Sequence, residues 1–273
     1  MIRYIKKNIS MAIGFVMFIM IVGLSIFAPF ISSHDPLIVN PGQRMQGSSP
    51  EHLLGTDFWG RDIFARVVYG GRTSLVIGLV SIGISLLIGG TLGIIAAYYS
   101  NSKFVFIIIW VTDILMSFPT IILGAIVGIM FGPGLVNTII AIAIAFIPRF
   151  IRLTRGNTLS AKEDVYITAA KSLGMSDWRI ITIHLLPNII SSVIVMAVIW
   201  TSAAITIEVA LSFLGLGVKP PIPSWGTALQ DNLRIFVMQP AAVVWPCIAL
   251  AWTVQSLNMM GDRFRDVLDP KMR

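Results

Sequence analysis

"TSLVIGLVSIGISLLIGGTLGIIAAY" fills residues 73–98 without a single charged side chain. A helix needs about 20 apolar residues to cross a bilayer, so this run is a membrane span. Ser81, Ser85, Gly89, Gly93 and Ala97 recur at every fourth position. One helix face is therefore small along its length. Such faces let backbones approach closely, which drives helix association where lipid offers no hydrophobic gain. Packing within the chain is the preferred reading over lining a pore, and contact with a partner subunit stays open. Gly124, Gly128 and Gly132 repeat the pattern further along.

The same reading gives six spans, near 11–31, 73–98, 104–131, 138–153, 189–214 and 239–260, and hence an all-α integral membrane protein. The fourth is short because Arg149 and Arg152 stand at its end, where long cationic side chains snorkel to the interface. Residues 1–31 read as an uncleaved first span, since the apolar run exceeds the ~7–15 residues of a signal-peptide core. Only 12% of the 273 residues are charged, against about 25% in soluble domains. The net charge of +7 does not indicate nucleic acid, because the basic residues collect at the ends of apolar runs rather than in one stripe. Fourteen of the twenty Lys and Arg fall on the side of the N-terminus, which by the positive-inside rule puts both termini in the cytoplasm. Cys247 is the one cysteine, so no internal disulfide or multi-thiolate site exists.

The chain divides into residues 1–50 (tip, first span and start of an external loop), 51–72 (an external amphipathic helix), 73–260 (the membrane core, with a cytoplasmic loop over 154–188) and a cytoplasmic tail over 261–273. In "HLLGTDFWGRDIFARVVYGGRTSL" (52–75), Thr56 or Asp57 is expected to cap a helix from Phe58. Asp62 and Arg66 are expected to pair at i,i+4, and Gly70 and Gly71 to end it. His34 and His52 are expected to be solvated loop residues, and no metal or cofactor site is assigned to the chain. "LSFLGLGVKPPIPSWG" (211–226) lacks the lysine and the strand of a phosphate loop; Trp225 suits an interface.

Two acids lie inside apolar runs, Asp113 and Glu208. Intramembrane charge is expensive, so each is a candidate for function, weighed equally against a structural hydrogen bond to a neighbouring helix. Pro119 is expected to kink or break the third span.

"YITAAKSLGMSDWRIITIHLLPN" (166–188) interrupts the spans on the basic side. Short helices are expected over 162–173 and 177–186, with Gly174 as the C-cap glycine and Ser176 as the next N-cap. Trp178, Ile181 and Leu185 are expected to share a face, and Pro187 to limit upstream continuation of the fifth span. A connector and a rigid knob for a cytoplasmic partner both fit.

The order Ala169, Ala170, Gly174, Leu186, Pro187 resembles the "EAA" loop of ABC-importer permeases. "LGTDFWGRD" (54–62), "LSFLGLG" (211–217), "PSWG" (223–226) and "GDRFRDVLDP" (261–270) resemble, in order, the second permease of the dipeptide/oligopeptide/nickel subgroup. The resemblance implies a type I ABC-importer permease (MetI-like) fold in a bacterial or archaeal cytoplasmic membrane. It implies a homologous second permease, two cytoplasmic ATPases that use ATP and Mg, and an extracytoplasmic binding protein. Thr168, Ala169, Ala170, Gly174, His184, Leu186 and Pro187 would form the loop that couples to the ATPases. Asp57, Arg61, Asp62 and Trp225 would lie on the binding-protein side. Thr168 stands where the motif has glutamate, and His184 where isoleucine is common. Peptides are the first expected cargo, then nickel chelates, with opines or sugars also open. The chain has no G-x-x-x-x-G-K-[ST] and no H-E-x-x-H, so no catalysis of its own is expected. The rival reading is an ion-coupled secondary transporter using Asp113 and Glu208.

Overall fold

A computed structural model describes the backbone of residues 2–268 and the side chains of 9–264. The cations Arg3, Lys6 and Lys7 and the end of the 261–273 tail lie outside the described side chains. The first span is α1 (Ile2–Ile26), followed by a single turn, α2 (Ala28–Ile31), with a proline in its first positions. An irregular segment then leads to α3 (Ile63–Tyr98), 36 residues long, about 54 Å at helical rise.

The separate surface helix expected over 51–72 does not form. Residues 51–62 make turns closed by a Thr56–Asp62 bridge, and the helix begins only at Ile63 and runs unbroken into the span. Asp62 is its N-cap: its Oδ1 accepts the Ala65 amide at 2.6 Å, so its carboxylate is spent on the cap rather than on Arg66. Gly70 and Gly71 do not end the helix, because they serve as contact points. A Cβ at Gly71 would lie 2.3 Å from Ser25 Oγ, and one at Gly70 3.1 Å from the Ser224 backbone.

The third span is broken as Pro119 requires. Helix α4 (Lys103–Met116) and helix α5 (Thr120–Phe131) meet at 99°. Gly132 ends α5 with φ +78°. The fourth span, α6 (Leu135–Lys162), extends past both ends of the expected 138–153. Next come α7 (Val165–Ser172), α8 (Asp177–Arg179), a widened π turn over Ile180–Leu185, α9 (Leu186–Phe213), α10 (Trp225–Asn232) and α11 (Ala241–Leu268). Among the described residues five helices are long and apolar enough to cross a membrane, or six if the bent pair α4–α5 is counted as one span.

The small face of α3 packs against α6 within the chain. Ser81 and Ser85 Oγ donate to the carbonyls of Ile139 and Ala143 at 3.1 and 2.9 Å. A Cβ on Gly89 would stand 2.6 Å from the Ile147 carbonyl, and one on Gly93 2.6 Å from that of Ile151. Helix α9 completes the core, with Ile77, Ile142, Phe146, Phe150 and Leu211 buried at the junction. Gly124 and Gly128 are not spacers of this kind, since their Cβ contacts would be ordinary at 3.4–3.7 Å. Helix α1 lies along α11, where Trp252 Nε1 donates to the Met17 carbonyl at 3.0 Å.

Candidate functional sites

At the Tyr98 end of α3, residues 163–188 fold into a block with a buried side and a bare side. Helix α7 ends in a Schellman motif. The Met175 amide reaches the Ala170 carbonyl at 3.2 Å and the Gly174 amide that of Lys171 at 3.0 Å, with Gly174 at φ +74°. This is the left-handed geometry that glycine adopts without penalty. Ile167, Ala170, Ile180 and Leu185 pack with Ile94, Tyr98 and Ala161. Ser176 occupies the next N-cap position, but its side chain accepts no amide. Asp177 is drawn to α3 instead, taking the Tyr98 hydroxyl at 2.6 Å and the Tyr99 hydroxyl at 3.2 Å. Lys162 Nζ donates to the Tyr98 carbonyl at 2.9 Å, closing the C-terminus of α3 with a cation as the helix dipole favours.

Pro187 does not stop the helix upstream of α9. The Leu186 amide bonds to the Ile181 carbonyl, an i to i−5 bond. This widened turn gives room where a proline ring would otherwise meet the carbonyl four residues back. It also separates residues expected to share a face: Leu185 is fully buried and Trp178 is 75% exposed. The bare side carries Val165, Leu173 and Trp178 beside Thr168, Ala169 and Gly174, all exposed. His184 is half-buried, its Nε2 without a hydrogen-bond partner.

The two intramembrane acids have different surroundings. Asp113 Oδ1 receives Arg152 Nη2 at 2.7 Å, and both side chains are more than half exposed on the outside of the chain. Arg149, one turn away, donates to Thr120 Oγ1 beside the α4–α5 break and lies over the Phe146 ring at 5.2 Å. Glu208 is wholly buried. Its Oε1 accepts Ser212 Oγ at 2.9 Å, and Ser212 Oγ in turn accepts the Val218 amide at 3.0 Å. Glu208 therefore fastens the turn after α9 to the helix itself. A relay through Asp113 and Glu208 is not built: one is an ion pair on the subunit surface, the other is sealed inside.

At the opposite end, two acids and two arginines form a closed cluster. Asp57 Oδ2 takes Arg61 Nε at 2.8 Å and Arg66 Nη1 at 3.1 Å, and Asp231 Oδ2 takes Arg61 Nη2 at 2.7 Å and Arg66 Nη1 at 2.9 Å. Asp57 Oδ1 also accepts the Trp59 and Arg61 amides. Trp225 is fully buried, its Nε1 donating to the Val67 carbonyl at 2.9 Å. Asp57, Asp62 and Trp225 are thus buried braces, and Arg61 keeps only 14% of its side chain exposed. Sequence reasoning missed Asp231, which lies 165 residues from the Arg66 it binds. It also misjudged His34 and His52. They are not solvated separately but lie ring against ring, 4.6 Å between centroids, with His52 buried.

Comparison with known proteins places the chain. Residues 89–273 match the family model described as "Binding-protein-dependent transport system inner membrane component", and residues 1–50 match the "N-terminal TM domain of oligopeptide transport permease C". The dipeptide transport system permease protein DppC of Alkalihalophilus pseudofirmus is 41% identical, over 99% of this chain and 89% of that protein. The glutathione transport system permease protein GsiD of Pectobacterium atrosepticum is 37% identical, over 99% and 90%. Among solved structures, the inward-facing MetNI methionine ABC transporter superposes with a TM-score of 0.60 at 18% identity, over 74% of this chain and 96% of that one. At that identity the likeness speaks to the fold, which is the MetI-like fold of type I importer permeases.

Proposed function

This chain belongs to the binding-protein-dependent transport system inner membrane components, and from that premise we propose that it is one of the two permease subunits of an ATP-driven peptide importer. Its termini and the 163–188 block face the cytoplasm, as the distribution of Lys and Arg favours. Two ATPase subunits there bind ATP and Mg and hydrolyse the nucleotide; this chain contributes no catalytic group. An extracytoplasmic binding protein delivers cargo to the opposite end. Short peptides are the cargo class, supported by relatives named for dipeptide and glutathione transport.

The observation that carries this reading is the construction of the 163–188 block. Its bare face presents Val165, Leu173 and Trp178, apolar groups in a segment that the charge distribution places outside the bilayer. Its buried face is bonded to the end of α3 through Asp177, and the block runs into α9 without a break. A push on the bare face moves α3 and α9 with it. An ATPase dimer that closes on ATP and opens after hydrolysis would use this block as the element that both sites bias. Thr168, exposed in place of the motif glutamate, leaves docking to rest on the apolar residues. On this reading the Asp113–Arg152 pair, exposed on the outside of the chain, faces the second permease, because a paired charge is tolerated at a protein contact and costly against lipid.

The test is reconstitution of this chain with the second permease, both ATPases and the binding protein in lipid. Hydrolysis accelerates when peptide-loaded binding protein is added. Hydrolysis indifferent to the loaded binding protein would overturn the proposal.

A further inference from the structure

The segment that links the first span to α3 brings together three residues that no part of the transport reading uses. His34, Glu51 and His52 each offer one donor atom, and these atoms all lie within 4.8 Å of one another. Tetrahedral ligands at the ~2.0–2.1 Å bonds typical of zinc stand about 3.4 Å apart, so a small side-chain adjustment closes the set around one ion. His34 follows α2, and Glu51 and His52 come from the turns that precede α3.

The surroundings are those of an oriented ligand set. Asp62 Oδ2 stands 2.9 Å from His52 Nδ1 and 3.9 Å from His34 Nδ1. Asp62 is itself fixed, since its other oxygen caps α3. The Asp62 carboxylate on Nδ1 holds the tautomer and orientation of the His52 imidazole and leaves Nε2, which lies 3.4 Å from the Gln43 side-chain oxygen, as the electron-pair donor. His52 is buried, with a side-chain exposure of only 4%, so its ring cannot swing into solvent. A cavity of about 30 Å³ lies beside the donors, lined by His34, Glu51 and Asp62 but not by His52, and gives the His34 and Glu51 side chains room to adjust. Two imidazoles and a carboxylate form a borderline donor set that selects zinc-class transition metals over magnesium or calcium, which prefer all-oxygen sites.

We propose that His34, His52 and Glu51 bind one divalent transition-metal ion of the zinc class, with Asp62 orienting His52. The ion ties the chain leaving the first span to the turn that caps α3. It fixes the loop that on the transport reading lies on the binding-protein side, although the metal site itself rests on the donor geometry and not on that reading.

The experiment uses the full importer complex without affinity tags, in lipid nanodiscs, dialysed against buffered zinc and analysed for metal by mass spectrometry. The wild-type complex retains one more zinc per copy of this chain than complexes carrying His34→Ala or Glu51→Gln. Both variants remove a group at the open side of the site and leave the buried His52–Asp62 contact intact. Cobalt in place of zinc gives the visible ligand-field bands of an N/O-ligated tetrahedral site in the wild type, and these are lost in both variants. Affinity for zinc in the variants falls at least tenfold, while ATP hydrolysis without the binding protein is unchanged. Equal zinc content in wild type and both variants overturns the site. So does cobalt showing only the pale bands of the hexaaqua ion, which would leave the His pair and Asp62 as a metal-free hydrogen-bonded cluster.

Discussion

Replacing Gly174 tests whether the 163–188 block works as a stiff element. Gly174 holds φ +74° and donates its amide to the Lys171 carbonyl at 3.0 Å. A Cβ at this position meets nothing within 4 Å, so the penalty of Gly174→Ala is confined to the backbone. A left-handed conformation costs an L-residue about 1–2 kcal/mol, or a roughly 5–30-fold loss in the population of the closed cap. Asparagine tolerates this region better than alanine. Proline is incompatible: its φ is fixed near −65° and it has no amide hydrogen to donate. Uptake per ATP hydrolysed, measured in proteoliposomes, is therefore expected to fall in the order Gly, Asn, Ala, Pro. Alanine should lose severalfold and proline more than tenfold, with membrane content of the chain unchanged. Normal uptake per ATP in Gly174→Pro would refute the reasoning, as would equal defects in Asn and Pro.

Three further outcomes follow from the packing. Asp57→Asn strips one carboxylate from Arg66, which is 4% exposed; breaking a buried pair costs about 3–5 kcal/mol, and the thermal midpoint of the complex should fall accordingly. Gly93→Ala forces the α3–α6 contact apart, because its Cβ would stand 2.6 Å from the Ile151 carbonyl. The cost is about 1–3 kcal/mol of overpacking, read as a lower midpoint, whereas Gly83→Ala, which meets nothing within 4 Å, should leave the midpoint level or higher. Trp178→Asp changes a side chain that is 75% exposed, so the permease should stay folded and membrane-inserted while co-purification of the ATPases is lost; retained ATPases would place the docking face elsewhere.

The spans were legible because a bilayer enforces a length and an apolarity that few other contexts demand. Pro119 and Gly174 were legible because each dictates backbone geometry: one breaks α4 from α5, the other supplies the positive φ of a helix end. The failures come from residues whose local rule was overridden by distant partners. Gly70 and Gly71 look like a helix end but sit where Ser224 and Ser25 press against α3. Arg66 satisfies the i,i+4 rule with Asp62, yet Asp62 turned to cap the helix, and Arg66 found Asp57 and Asp231. Trp225 looks like an interfacial residue and is a core brace, because its indole nitrogen found the Val67 carbonyl inside the protein. Glu208 and Asp113 look equivalent as charges in apolar runs; only the packing of α9 against its own following turn separates a fastener from a surface ion pair. The two histidines, 18 positions apart, meet through chain reversals that carry no periodic signal.

The most direct test of the account is uptake of a labelled dipeptide into proteoliposomes that hold this chain, the second permease and the ATPases, with ATP enclosed at the ATPase face and the binding protein outside. Accumulation that requires both ATP and the binding protein, and that persists when the proton gradient is collapsed, is the predicted result. Accumulation driven by a proton gradient through this chain alone, without ATPases, would contradict it.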